Sequence, residues 1–131
     1  MGFVTKDSGQ REQYDSGAVR DTRAGKARYD LVSPWALRRI ALLYERGAAK
    51  YDDRNWEAGM PFCRFLDSAM RHLQQYLMGD TTEDHLAAVA WNVMAIIHFE
   101  ETGRTDLDDR PQWSTPSFID QVFAKLAERG E

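Results

Sequence analysis

A single cysteine, Cys63, leaves no partner for an internal disulfide, and a thiolate zinc site is excluded for the same reason. The fold must hold without cross-links, and the cytoplasm is its expected compartment. Long apolar runs are missing too. The stretch Leu86–Ala90 falls far short of a membrane span, and the N-terminal MGFVTKDSGQREQYDSG holds no apolar core of signal-peptide length. Lys6 stands where a myristoylation signal needs Ser or Thr. Neither sign of charge dominates: 17 Lys plus Arg against 21 Asp plus Glu give a net charge of -4, which argues against a general nucleic-acid coat. Any anion site must be local. Catalytic signatures are also scarce. There is no GxxxxGK[ST] loop and no GxSxG elbow, and Asp84-His85 reverses the order an HD-type phosphohydrolase needs. His72, His85 and His98 are not spaced as a zinc motif.

What remains is a chain of 131 residues, 43% hydrophobic and 11% aromatic, long enough for one packed domain. Residues 1–30 are polar, glycine-dotted and without a sustained period, which predicts an extended arm; residues 31–131 read as an all-α domain. Ser33-Pro34 supplies a cap and a first helical residue, and Leu37, Ile40, Ala41 and Tyr44 follow at helical spacing until Gly47 offers a stop near Arg46. GAAKYDDRNWEAGMP is too polar and punctuated for a regular element. Phe62, Phe65, Leu66, Ala69, Met70, Leu73, Tyr76 and Leu77 then form an apolar stripe on a second helix ended by Gly79. Thr81 or Thr82 is the expected cap of a third helix, with Thr81 and Asp84 spaced as a capping box; the helix is apolar nearly all round from Leu86 to Ile97 and reaches Glu101 before Gly103. A polar segment from Thr102 to Thr115 leads to Ser117, which caps a fourth helix expected to bury Phe118, Val122, Phe123 and Leu126. The short turn at Gly79-Asp80-Thr81-Thr82 makes the second and third helices antiparallel neighbours, so their polar faces can meet.

Those faces carry Asp67, Arg71 and His72 on one helix, and Glu83, Asp84, His85 and Asn92 on the other. Inward carboxylates on facing helices are how bundles hold Mg²⁺ or Mn²⁺. Each group also has an ordinary reading. Glu83 and Asp84 stabilise a helix dipole, Asp67 with Arg71 makes a surface ion pair, and the histidines are hydrogen-bonded boundary residues. Asn92, inside an apolar stretch, needs a specific partner in any reading. Two segments resemble anion binders. Arg20, Arg23, Lys26 and Arg28 cluster beside two glycines, and the KYDDRNW loop adds Lys50, Arg54, Asn55 and a Trp56 ring able to stack a base; a solvated arm and a core-plugging Trp are the alternatives.

The strings GAVRDTRAGKARYDL, SPWAL, ERGAAKYDDRNWEAGMPFCRFLDSAMRHLQQYLMGD and EDHLAAVAWNVMAIIHFEE resemble the dATP/dGTP diphosphohydrolase N-terminal domain family from about Gly17 to Glu101. The combination of RGAxKYxxRNW, RHL and DHLAAxAWN carries the resemblance. That family is similar to the MazG-type all-α nucleoside triphosphate pyrophosphohydrolases, and its phage members called MazZ are linked to 2-aminoadenine DNA through conversion of dGTP to dGMP. The resemblance implies a four-helix MazG-like bundle, oligomeric as a homodimer or homotetramer, acting in the host cytoplasm if phage-encoded. It also implies Mg²⁺- or Mn²⁺-dependent hydrolysis of dGTP or dATP to the monophosphate and pyrophosphate. The EExxE and ExxD carboxylates of MazG-type enzymes are not matched here; overlaying those patterns gives Asp67, Ser68 and Arg71, then His85 and Ala88. The oxygen candidates for metal are therefore Asp67, Asp84, Glu83 and Glu45. Asp67, His85 and Lys50 are the expected catalytic residues, His85 as a general base or as a metal ligand. Arg20, Lys26, Arg28, Lys50, Arg54, Asn55, Trp56, Arg71, His72 and Asn92 are expected to bind substrate. A nucleotide-binding or oligomeric accessory protein without catalysis is the rival expectation, and neither nucleic acid nor membrane is an expected partner.

Overall fold

In the computed structural model, residues 2–112 and 117–130 are described. Among them, four helices dominate: α1 (Pro34–Tyr51), α2 (Phe62–Leu77), α3 (His85–Glu101) and α4 (Phe118–Glu128). Two short strands, β1 (Arg11–Gln13) and β2 (Val19–Asp21), precede them. The all-α architecture expected from the periodicity is present, and the part of the polar segment that falls on residues 113–116 lies outside the described residues.

Met1–Leu37 and Arg38–Glu131 form two compact units. In the first, β1 and β2 pair antiparallel with Arg11 opposite Asp21, a hairpin that the sequence did not announce because three-residue strands are too short to show alternation. Asp21 is its hub: its carboxylate accepts from Ser8 Oγ at 2.6 Å, Lys26 Nζ at 2.7 Å and Arg11 Nη1 at 3.2 Å. These donors, Lys26 foremost, hold Asp21 well below the usual carboxylate range.

In the second unit, glycines set where the central helices stop. At the end of α2, Gly79 (φ +85°) allows its own N–H to reach Tyr76 O and the N–H of Asp80 to reach Gln75 O; Gly103 (φ +76°) does the same for α3, with Arg104 N–H on Phe99 O at 2.8 Å. Both are Schellman ends, and both glycines match the predicted stops. Gly47 does not stop α1. It stays helical, followed by Ala48 and Ala49, whose high propensity offsets the roughly 1 kcal/mol a helical glycine costs, so α1 runs on to Tyr51. Nor do Thr81 and Thr82 cap α3. Asp80 captures the Thr82 N–H and hydroxyl, turning residues 80–82 aside, and Asp84 becomes the cap, accepting from Ala87 N–H at 3.2 Å.

Ring and side-chain contacts establish how α2 and α3 run. His72 meets His85 near the connecting turn, Ser68 meets Asn92 further along, and Phe65 meets Phe99 at the far end, which is antiparallel packing. Phe62, Phe65, Ala95 and Phe99 form the core, each 2% exposed or less, with Trp56, Met60, Trp91, Ile96 and Leu107 packed around them. Burial of each phenylalanine contributes about 1.5–3 kcal/mol. Further along α2 the expected stripe stays uncovered: Met70, Leu73, Tyr76 and Leu77 are exposed, as are Val93, Met94 and Ile97 on α3. Helix α4 forms with the Ser117–Asp120 capping box, yet Phe118, Val122 and Phe123 are exposed rather than buried, because this chain packs too little against them. Amphipathic period alone does not supply a partner surface.

Phe99 sits among Phe65, Trp56 and His98 at centroid distances of 5.5–6.0 Å, so its loss leaves a cavity in the small core. Phe99→Ala is expected to lower unfolding stability by about 3–5 kcal/mol, read as a drop in the urea midpoint at unchanged slope.

Candidate functional site

The chain leaves α1 through two residues in left-handed backbone, Asp52 (φ +83°) and Arg54 (φ +59°), a conformation that costs non-glycine residues about 1–2 kcal/mol each. Strain of this kind collects at functional sites. It turns Asn55–Ala58 into a single 3₁₀ turn and brings Trp56 edge-on to Tyr44, with ring centroids 6.1 Å apart. Tyr44 also meets Trp91 of α3 at 6.0 Å. These rings form one wall of a cleft of about 760 Å³ lined by the end of α1, the loop, α2, and the start of α3.

Cations stand around that cleft: Arg46, Lys50, Arg54 and Arg71. Arg54 is paired with Glu57 at 2.7 Å, whereas Arg46, Lys50 and Arg71 form no ion pair among the described residues. Asn92, 5% exposed, lies on the cleft floor; its amide N–H₂ donates to Ala88 O at 2.8 Å and approaches Ser68 Oγ at 3.4 Å, the partner its apolar setting required. Its carbonyl oxygen accepts no hydrogen bond among the described residues. Thus Lys50, Arg54, Asn55, Trp56, Arg71, His72, Glu83, Asp84 and Asn92, all expected from sequence to bind substrate or metal, line one cleft. Trp56 belongs to the core periphery as well, so the plugging and stacking readings describe two edges of one ring.

Other expected site residues of the second unit stand apart from this group, and those of the first unit have partners of their own. Asp67 is 73% exposed and nearest to Arg64, at 3.7 Å, rather than to Arg71. Glu45 is exposed and does not line the cleft. Lys26 and Arg28, in the first unit, pair with Asp21 and Asp30 at 2.7 and 2.8 Å, and Arg20 lies on β2. Asp84 is gripped by Arg39, with Nε at 2.8 Å and Nη2 at 2.5 Å from its two oxygens, and this guanidinium holds its carboxyl down at about 2.

His72 and His85, which sequence spacing sets apart, come together. Their Nδ1 atoms are 2.8 Å apart, and His85, 2% exposed, directs Nε2 at Asp80 Oδ2 at 2.9 Å. A carboxylate only accepts, so a neutral His85 carries its proton on Nε2 and leaves Nδ1 facing His72. Asp80 is itself held low by the Thr82 N–H, then the Thr82 hydroxyl and His85. Burial pushes the His72 imidazole below its ordinary value. With Glu83, the two histidines place three ligand-capable atoms within 4.8 Å of one another, and this is the single such group among the described residues. Asp80 was not anticipated. A signal existed: an Asp directly after a glycine helix stop, five residues before a histidine.

One cleft in this helical protein thus gathers three cations outside any ion pair among the described residues, rings packed edge-on or tilted, and a buried amide. A family model described as "dATP/dGTP diphosphohydrolase, N-terminal" matches residues 16–110, and the chain belongs to that family. Comparison with curated proteins and with solved structures gives no match. No helix among the described residues is long and apolar enough to cross a membrane.

The Arg39–Asp84 pair ties α1 to the start of α3. Asp84 is depressed relative to an unfolded aspartate near 3.9, so its contribution is complete above about pH 5 and is lost as pH falls toward 2. Because Arg39 is about half exposed, solvent screens the pair and its contribution is small. Asp84→Asn keeps a competent cap and removes the charge; its thermal midpoint is expected to fall less steeply than wild type between pH 5 and pH 3, and parallel curves would refute the linkage.

Proposed function

We propose that the chain hydrolyses a purine deoxynucleoside triphosphate, dGTP or dATP, to the monophosphate and pyrophosphate in the cleft between α1, α2 and α3. The observation that carries the reading is the union of unpaired Arg46, Lys50 and Arg71 with the Tyr44–Trp56–Trp91 rings around one opening, within a chain of net negative charge. The family description supports the substrate class.

In this reading the cations hold the phosphate chain as point charges and forks, and they offset the charge that develops on the departing pyrophosphate. Trp56 and Trp91 offer faces and edges to the purine. Asn92 offers its unbonded carbonyl oxygen to a base or sugar donor. Water adds to the α-phosphorus, the bond from that phosphorus to the oxygen bridging to the β-phosphate breaks with its electron pair leaving on pyrophosphate, and the attacking water's proton passes to bulk water. The divalent cation that the family resemblance implies supplies charge neutralisation and a more acidic water when bound. Among the described residues His72, Glu83 and His85 bring their donor atoms close enough to hold a cation, a nitrogen-rich set that suits Mg²⁺ poorly. Asp67, solvent-facing beside Arg64, has no part in this reading, and Asp84, occupied by Arg39, acts as an anchor. A role in making 2-aminoadenine DNA in a phage-infected host belongs to the same proposal, as the use such a product would serve.

The uncovered apolar residues Met70, Leu73 and Leu77 on α2, and Val93, Met94 and Ile97 on α3, support assembly with further copies of the chain as a homodimer or homotetramer.

Incubation of the purified protein with dGTP and a divalent ion, with products separated by ion-exchange chromatography, is expected to give dGMP and pyrophosphate in equal amounts. Release of dGDP and phosphate, or tight binding without turnover, would overturn the reaction. Lys50→Ala and Arg71→Ala are each expected to lower kcat/KM by tenfold or more while leaving helical content unchanged.

A further inference from the structure

We infer that His72, Glu83 and His85 form a binding site for one first-row transition-metal ion of the Co²⁺ or Zn²⁺ kind, in preference to Mg²⁺, with Asp80 as the positioning residue that aims His85. The inference deepens the cleft's proposed function, since it concerns the ion that would serve there, but its test needs no nucleotide.

The first argument is convergence. One donor comes from the C-terminal third of α2, one from the α2–α3 linker and one from the first residue of α3, and all three ligand atoms fit within 4.8 Å. The two imidazole nitrogens are 2.8 Å apart and share one hydrogen bond. Two imidazoles on one tetrahedral ion with bonds of about 2.0–2.1 Å place their nitrogens about 3.3–3.4 Å apart, so a cation replaces the shared proton once the two rings, now facing nitrogen to nitrogen with centroids 5.2 Å apart, turn to aim at one point. The second argument is orientation. A metal-binding histidine characteristically donates its other ring N–H to a carboxylate, and His85 does so to Asp80 at 2.9 Å. Asp80 is in turn fixed by the Thr82 N–H at 3.0 Å and the Thr82 hydroxyl at 2.8 Å. The buried His85 ring has little freedom to offer anything but Nδ1. The third argument is access. Glu83 and His72 line the cleft, so the ion would sit on its wall with coordination positions left for water or phosphate oxygens.

Donor chemistry decides the metal. Magnesium demands near-octahedral oxygen ligation and binds imidazole poorly, whereas two nitrogens and one carboxylate suit zinc, cobalt, nickel and iron. The all-carboxylate set that would favour magnesium is not assembled: Asp67 and Glu45 stand outside the group and Asp84 is committed to Arg39.

The test is titration of tag-free, chelator-treated protein with Co²⁺, followed by its visible absorption and by calorimetry. Wild type is expected to bind one Co²⁺ per chain with a saturable visible band, displaced by Zn²⁺ and untouched by a hundredfold excess of Mg²⁺. His72→Gln and Glu83→Gln, both at more accessible positions than His85, are each expected to weaken binding by at least tenfold with circular dichroism unchanged. Asp80→Asn is expected to weaken it by about 10–100-fold and to shift the Co²⁺ band, a change that loss of mere packing would not produce. No saturable band in folded wild type, equal affinity in His72→Gln and Glu83→Gln, or displacement by Mg²⁺ at comparable concentration would each overturn the site. Normal Co²⁺ binding with dGTP left intact would remove the hydrolase reading alone.

Discussion

The register between α2 and α3 is the constraint on which the site rests. Phe65 against Phe99, with Phe62 and Ala95 sealed beside them, locks one end of the helix pair; the Schellman turn at Gly79 locks the other. Between those points each side chain on one helix faces a determined partner on the other. Ser68 falls opposite Asn92, and His72 opposite His85. Sliding one helix by a single turn, about 5.4 Å, would separate both pairs and strand a buried histidine and a buried amide, at a cost of a few kcal/mol. The polar contacts thus act as a check on register, while the aromatic core provides the driving force.

The same turn does a second job. Ending α2 at Gly79 delivers Asp80 to a position where it binds Thr82 and His85 together, which delays the start of α3 until Asp84. Asp84 then caps α3 and receives Arg39 from α1. Two neighbouring acids are therefore held in different employment, one orienting an imidazole and the other clasping a helix. Asp84 is thereby committed to Arg39 and Asp80 to Thr82 and His85, and neither belongs to the group of converging donors formed by His72, Glu83 and His85.

Helix existence and order were legible in the sequence because the apolar spacing of α2 and the glycines at 79 and 103 are local signals with local causes. The cleft was legible as a set of residue types: Lys50, Asn55, Trp56, Arg71 and Asn92 were singled out for donor, ring and amide chemistry, and they line one opening. What escaped was pairing across the helices. The separation of His72 and His85 along the chain says nothing of their Nδ1 contact, which depends on where the turn places residue 85. The assignment of Asp84 to the macrodipole or a metal missed Arg39, forty-five positions away, for the same reason. Gly47 misled in the opposite sense, since a glycine is a stop only where the chain adopts left-handed backbone, and that falls at Asp52.

Charge distribution completes the argument. The chain is acidic overall, yet its carboxylates are largely engaged: Asp21 by Lys26, Asp30 by Arg28, Asp84 by Arg39, Asp106 by Arg104, Asp108 by Arg110. Each pair is exposed enough to contribute little to stability. Around the cleft itself, Arg46, Lys50 and Arg71 stand outside any ion pair among the described residues, while the nearby Asp84 is committed to Arg39. A local positive field beside apolar ring walls is strengthened by the reduced dielectric there. In the proposed reading that field favours a polyanion beside the Tyr44, Trp56 and Trp91 rings that would receive its base.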